Sequence, residues 1–383
     1  MFSQDRKNIK VLYPVLHYPP VIGGLEQWEQ NIAERQGDDA EVIVVTGRVK
    51  GALDFEEKGG VKIFRTSLFA LNDLSRSSWF YILIATPFVF VRSLMLVLFS
   101  RKIDIIHCQG FISAVLGYLL SFASRKPFLG TEQSLGWGSG KSRWLRGVVY
   151  RQARFCIASS SAVAEEFKKV GIPQKKIVVI PNGVDLSAFF PREKCERCAG
   201  LIPASPAGRP RIRILSAGRL EKVKGHKYLL DAFAAVVNTA KFDPQLILVG
   251  DGSERANLEK QCKDLGIRNL VEFAGEVPHS ELSHYYHKAD VFIMPSLSEG
   301  FGIAALEAMA CGVPVVASRT GGLVDIVSED AGILVAAGDV SSIAEAIIKI
   351  LKNPGAYTSA RAQEFSWDSI ARRVGQLYAE KIQ

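Results

Sequence analysis

Apolar residues along this chain fall into two spacings that take turns. Short runs rich in Val and Ile, at residues 9–16, 41–46, 61–64, 155–158, 177–180, 212–216, 245–249, 271–274, 291–294 and 313–317, are bounded by polar loops. Runs of that length and composition read as strands buried on both faces. Between them lie segments with helical spacing, at 25–35, 162–170 and 303–311, the second capped by Ser161. A last segment, 366–383, sets Trp367, Ile370, Val374, Leu377 and Tyr378 on one helical face. Strands alternating with helices predict an α/β protein with parallel sheets, and 383 residues are enough for two such domains. Residues 191–211 hold four prolines and several charges and read as the linker. The division expected is 1–190, 191–211 and 212–365.

The stretch 289–322, ADVFIMPSLSEGFGIAALEAMACGVPVVASRTGG, is the most informative. A buried strand is stopped by Pro295, and a glycine-containing loop leads into a helix of strong formers. Gly312 and Pro314 end that helix before a second strand. In open α/β sheets ligands bind at such loops, beyond the carboxyl ends of strands. Unpaired backbone N–H groups at Gly302 and Ile303, together with the helix dipole, favour an anion. Glu299 and Glu307 cannot serve a phosphate, because like charges repel, but they can accept hydrogen bonds from sugar hydroxyls. Taken alone, the same stretch also fits a solvated helix start carrying an incidental acid.

Other loops follow the same plan. Pro19 to Glu26 reads PPVIGGLE, with Gly23 and Gly24 allowing close backbone approach. Gly218 to Gly225 offers Arg219, a planar fork for phosphate oxygens, and Lys224, a compact cation five residues on. Gly250 lies in a second glycine loop, and Val277 follows a third strand. His107 ends one strand with Gln109 just beyond it, and Glu132 and Gln133 follow another at 127–131. His107 fits equally a core position. His279, His284 and His287 have a spacing that imitates a ligand set, but surface histidines explain it as well.

The EGFGIAALE segment, the GRL-x-KG context around Arg219 and Lys224, the PPxxGG loop and IPNGVD at 180–185 resemble retaining glycosyltransferases of the GT-B type, above all family four. The resemblance covers nearly the whole chain. It implies two Rossmann-like domains facing across a cleft, with the last helix returning onto the first domain. It implies that Arg219, Lys224, Glu299 and His107 serve catalysis. Donor binding falls to Gly23, Gly24, Gly218, Gly250, Val277, Gly300, Phe301, Gly302, Ile303 and Glu307, with Glu307 on the ribose and Glu299 on the transferred sugar. Gln109, Glu132 and Gln133 fall on the acceptor side. Relatives often carry histidines where Gln109 and Gln133 stand; glutamine hydrogen-bonds a hydroxyl but shuttles no proton. The activity implied is transfer of a hexosyl group from a nucleotide-diphosphate sugar. No DxD-like metal motif stands in a convincing loop, so neither metal nor cofactor is expected.

Charge and cysteine usage narrow the partners. Residues 1–190 hold 24 Lys/Arg against 16 Asp/Glu, and the remainder 23 against 23, so the whole net charge of +8 lies in the first half. An anionic partner follows. No nucleic-acid module is recognisable, and a lipid surface suits better. Trp79–Phe99 is almost wholly apolar, yet Pro87 and Arg92 interrupt it. It reads as a covering helix rather than a span, either buried alone or also dipping into a membrane interface. A lipid-linked acceptor is the corresponding expectation. Scattered cysteines and a polar opening segment fit a cytoplasmic protein, peripheral on the inner membrane face. The Cys195/Cys198 pair lacks a second ligand pair for zinc. A nucleotide-sugar hydrolase or epimerase, or a catalytically silent binding subunit, would share the scaffold. A dinucleotide enzyme is disfavoured, since no GxGxxG follows the first strand.

Overall fold

The computed structural model describes residues 9–20, 24–37, 40–67, 79–99, 103–138, 140–191, 211–239, 243–353, 355, 357 and 360–382. They form two units, Met1–Gly183 with Trp367–Gln383, and Val184–Ser366.

In the first unit the strands are β1 (Ile9–Pro14), β2 (Ala40–Thr46), β3 (Phe55–Lys58), β4 (Val61–Arg65), β5 (Ile105–Gln109), β6 (Phe128–Glu132), β7 (Phe155–Ala158) and β8 (Ile177–Val179). They lie in the order β3-β4-β2-β1-β5-β6-β7-β8. Every pairing is parallel except that of β3, which folds back on β4 as an antiparallel edge. The charged, largely exposed β3 (FEEK) carries no buried run, so the hydrophobic pattern gives it no signal. Helices α1 (Gly24–Glu34), α2 (Trp79–Phe99), α3 (Gly110–Ser124), α4 (Lys141–Gln152) and α5 (Ser161–Lys169) connect the strands. Because β1 and β2 alternate Val11, Tyr13, Val42 and Val44 with Leu12, Ile43 and Val45, the sheet feeds separate cores on its two faces. Gly117 lets α3 close on β5: a Cβ there would sit 2.2 Å from Cys108 Sγ. The cap of α5 is Ser160, whose Oγ accepts the Val163 N–H at 3.3 Å, one residue before the expected Ser161.

The second unit contains β9 (Arg211–Ala217), β10 (Asp243–Val249), β11 (Val271–Gly275), β12 (Val291–Met294), β13 (Val315–Ser318) and β14 (Gly332–Val335). Its helices are α6 (His226–Thr239), α7 (Arg255–Asp264), α8 (His279–Lys288), α9 (Ile303–Ala310), α10 (Leu323–Ile326) and α11 (Val340–Lys352). The all-parallel order is β11-β10-β9-β12-β13-β14. Counted from its first strand, that is the doubly wound 3-2-1-4-5-6 order, and the sense of winding reverses between β9 and β12. In the first unit the corresponding reversal falls between β1 and β5.

The boundary after residue 190 needs correcting to Gly183. The Val184 N–H donates to the Phe365 carbonyl at 2.8 Å, and Phe189 is buried against Tyr286. Residues 184–190 therefore fold with the second unit. The last helix, α12 (Trp367–Ile382), belongs to the first, where Tyr378 and Trp367 share the core with Tyr13 and Trp28. Most of the expected linker, Cys195 and Cys198 included, lies outside the described residues.

Candidate active site

The reversal point of the second unit gathers the charged residues. The loop after β9 contains a short 3₁₀ turn, Lys222–Lys224, and Gly225 follows in a left-handed conformation (φ +71°). A Cβ on Gly225 would lie 2.0 Å from the Pro295 carbonyl oxygen, so the loops after β9 and β12 touch backbone to backbone. The Leu297 N–H donates to the Val223 carbonyl at 2.8 Å and ties them further. In this setting Lys224 Nζ donates to Glu299 Oε2 at 2.7 Å, with both side chains largely buried. Ser296 Oγ approaches the same oxygen at 3.3 Å. Arg219 is not part of the cluster: its Nη1 donates to Glu221 Oε1 at 2.8 Å within the same loop, and its side chain is 72% exposed.

Behind Glu299 the chain turns into α9 through Gly302 (φ +105°), where a Cβ would lie 2.5 Å from Leu323 Cδ2. Only glycine fits there. The first N–H groups of α9, beginning at Ile303, have no intrahelical partner. Phe301 turns its ring into the core, edge-on to Phe365 at 6.3 Å, which leaves only its backbone for a ligand. Gly300 carries no side chain. Gly218 and Gly250 are explained by packing: the Gly218 N–H donates to the Val249 carbonyl at 2.9 Å, and a Cβ on Gly250 would sit 2.1 Å from the Gly218 carbonyl oxygen. Val277 is half-buried before α8.

Glu307 lies one turn into α9, buried, with both oxygens engaged. His279 Nε2 meets Oε1 at 2.7 Å and the Tyr286 hydroxyl donates to Oε2 at 2.9 Å. The bond to Glu307 raises the His279 pKa against its partial burial, and burial raises that of Tyr286. The expectation of surface histidines on α8 is thus overturned for His287, while His279 is exposed but engaged. His287 is buried with Nε2 at 2.7 Å from the Phe190 carbonyl, and His279 supports Glu307; His284 is exposed. Nothing in the spacing of His279 and Tyr286 announced that role.

The first unit's reversal point holds a cavity of about 700 Å³ at the carboxyl ends of β1, β5 and β6. Gln109 opens on it from the end of β5, 7% exposed, and neither its Oε1 nor its Nε2 has a partner. Glu29 of α1 lines the same cavity with Oε2 unpaired, and burial, with Glu26 nearby, pushes its pKa well up. A signal for Glu29 did exist, for the acid sits beside Trp28 and one turn before Ile32 and Ala33, on the helix face that enters the core. Gln133 also lines the cavity; its Oε1 accepts from Asn182 Nδ2 at 3.2 Å and its Nε2 is unpaired. Glu132 is spoken for: Arg146 Nη1 (2.8 Å), Tyr150 OH (3.1 Å) and Ser134 Oγ (2.7 Å) all donate to it. It fixes the loop after β6 and leaves little for a ligand. Gly24 begins α1, and Gly23 lies outside the described residues.

The catalytic expectation for His107 fails. Its Nδ1 is 2.6 Å from the Tyr378 hydroxyl and its Nε2 2.7 Å from Thr131 Oγ1, and the ring is enclosed by Tyr13, Trp28 and Tyr378. Burial drives its pKa down to about 3. A neutral ring with both nitrogens engaged is a core residue, unable to reach a substrate.

Residues 22–188 match the model of Glycosyltransferase Family 4, and residues 203–367 that of Glycosyl transferases group 1. A D-inositol 3-phosphate glycosyltransferase of Pseudarthrobacter chlorophenolicus is 31% identical over 72% of this chain and 70% of its own length. Sucrose-phosphate synthase from Thermosynechococcus elongatus has a TM-score of 0.77 and 26% identity, covering 98% of this chain and 99% of that one. Anabaena HepE, solved with UDP-glucose, is similar in fold at a TM-score of 0.73 and 22% identity, covering 97% of this chain and 100% of its own. The carboxyl-end loops just described are those of a glycosyltransferase, and the chain belongs to family four, group 1, with the GT-B fold.

Proposed function

We propose that the enzyme transfers a hexosyl group from a UDP- or GDP-sugar to an acceptor hydroxyl, with retention at the anomeric carbon and without a divalent metal. The observation that carries this reading is the Lys224–Glu299 pair at the ends of β9 and β12, with the amino end of α9 behind it. A diphosphate placed there meets a cation and a helix dipole, and a sugar beyond it meets a carboxylate.

When the anomeric C–O bond to the diphosphate breaks, negative charge grows on the leaving oxygens and the sugar gains oxocarbenium character. Lys224 and the first N–H groups of α9 stabilise that charge before any rearrangement. Arg219, exposed on its loop, adds a second cation once it leaves Glu221. Glu299 is held by Lys224 and Ser296, which suits it to orient hydroxyls rather than attack carbon. The acceptor oxygen then bonds the anomeric carbon on the face the leaving group vacates, and its proton passes to the departing phosphate oxygen. At Glu307, a ribose hydroxyl takes the place of half-exposed His279 on Oε1 while Tyr286 keeps Oε2. The acceptor occupies the first unit's cavity, where Gln109, Gln133 and Glu29 present unpaired hydrogen-bonding atoms. The uncharged amides of Gln109 and Gln133 suit a glycan or glycolipid hydroxyl, lipid-linked in cell-envelope synthesis. Among the described residues four cysteines are buried outside any disulfide, which suits a reducing cytoplasm.

A melting-temperature screen against UDP, GDP, ADP and their sugars tests the donor. One base should raise the transition of the wild type and fail to raise that of Lys224→Ala. If no nucleotide shifts the wild type, the reading is wrong. NMR of the product's anomeric proton then decides retention, and parallel runs without acceptor separate transfer from hydrolysis.

A further inference from the structure

Helix α2 is buried along one narrow stripe. Tyr81, Ala85, Val89, Ser93 and Val97, four residues apart, turn to the core of the first unit. In a soluble covering helix the opposite side carries charge. Here that side presents Leu83, Val91, Met95, Leu98 and Phe99, between 44% and 82% exposed. Neighbouring α3 adds Leu119 and Phe122, the latter 81% exposed, and α4 opens with Trp144, 68% exposed.

The charges carried by these helices are of one sign. Helices α2, α3 and α4 contain no aspartate or glutamate. Cations stand at Arg92, Arg125, Lys126, Lys141 and Arg143, of which Arg143 reaches Glu166 of α5 at 3.5 Å. Within 79–154 the acids are Asp104 and Glu132. Asp104 Oδ2 accepts the Lys10 N–H at 3.0 Å, and Glu132 is buried under Arg146. Neither offsets the positive field.

We infer that the outward face of α2 and α3 is a docking surface for an anionic lipid bilayer. Exposed large apolar side chains enter the boundary between head groups and acyl chains, and the cations meet lipid phosphates. The helix lies in the interface and does not cross it: its buried stripe is part of a folded core, and Pro87 and Arg92 interrupt its length. Arg92 is itself steadied over the Phe64 ring at 4.9 Å. A second copy of the chain fits this face poorly, since two-fold pairing would set the cations of α2 and α3 against one another, and those helices carry no acid. The inference stands apart from sugar transfer, because vesicle binding and nucleotide binding are read in separate assays.

The test is co-sedimentation of the full chain with phosphatidylcholine vesicles, with and without roughly a third of phosphatidylglycerol. Binding is expected only to the anionic vesicles, weakening as salt rises. Met95→Glu with Phe122→Glu should lower the partition coefficient by about tenfold or more. Arg125→Gln with Lys126→Gln should lower it by roughly fivefold per charge removed. Should either glutamate variant melt early, Phe99→Ser with Phe122→Ser takes its place. No binding of the wild type at low salt overturns the inference, as does binding that ignores both sets of substitutions. So does light scattering that shows a dimer dissociated by the apolar-face variant, which would mean a second copy covers the face.

Discussion

Both units reverse their strand order beside their first strand, and both place polar residues where the reversal opens a crevice, but they treat those residues in opposite ways. In the second unit every named charge is paired: Lys224 with Glu299, Arg219 with Glu221, and Glu307 with His279 and Tyr286. In the first unit Glu132 and Arg146 pair as well, but both polar atoms of Gln109 and one oxygen of Glu29 have no partner. The contrast follows from the cost of burial. A half-buried ion without a counter-ion is expensive, so a site for a charged ligand holds internal pairs that the ligand exchanges. An uncharged amide costs far less to leave waiting beside a cavity. On the proposed function, the pairs of the second unit await a charged donor and the unpaired amides of the first a neutral acceptor hydroxyl.

The sharpest way to break this contrast is Lys224→Ala. Transfer should slow by roughly a hundredfold to a thousandfold, the usual loss when one preorganised charge-stabilising donor is removed. Steady-state kinetics on a soluble acceptor measure it, and a change within a few-fold would make the pair merely structural. Next comes Glu307→Ala, which strands a buried Tyr286 hydroxyl. A urea titration should show about 1–3 kcal/mol lost, with a raised donor KM. Because the bond to Glu307 raises the His279 pKa above its ordinary 6.5, that pairing stabilises the fold fully below pH 6.5 and fades as pH climbs through the raised value. The stability difference between wild type and His279→Gln should therefore shrink in alkali.

Buried histidines give a third comparison, with His107 in the first unit and His226 in the second. Burial lowers His107 to about 3, and burial, with Lys224 nearby, lowers His226 to about 4. Their unfolded forms take up protons below 6.5 while the folded forms do not, so stability present above 6.5 is lost as pH falls toward those values. Each should contribute about 1.4 kcal/mol per pH unit in that window. His107→Gln should flatten the acid limb by that amount, which chemical melts at pH 4.5, 5.5 and 6.5 would register. The smallest effect on stability is expected from Gln109→Leu, within about 0.5 kcal/mol of wild type, because no native hydrogen bond is broken. Its signature is an acceptor KM raised about tenfold with donor affinity unchanged. If donor affinity falls instead, the assignment of a neutral ligand to the first unit is wrong.

Much of this was legible along the chain. Expected and observed bounds of α2 coincide, because twenty-one residues with almost no polar interruption leave little choice. Charge asymmetry and the glycine loops were equally visible. Strand β3 was not, since an exposed edge hairpin needs no apolar run. The EGFGIAALE segment pointed to Glu299 and Glu307, yet spacing alone said nothing of Lys224, 75 residues away, or of His279, 28 residues away.

Residues 107 and 109 divide what the sequence determined from what only tertiary structure decided. Local pattern determined that both lie at the end of β5 and, two apart, share a face of the sheet. It could not determine that Tyr378, 271 residues further on, would close over His107 and bond its ring while Gln109, at the last position of the strand, opens on a cavity. Periodicity is a property of neighbours, whereas the partner of a polar atom depends on where a distant segment comes to rest.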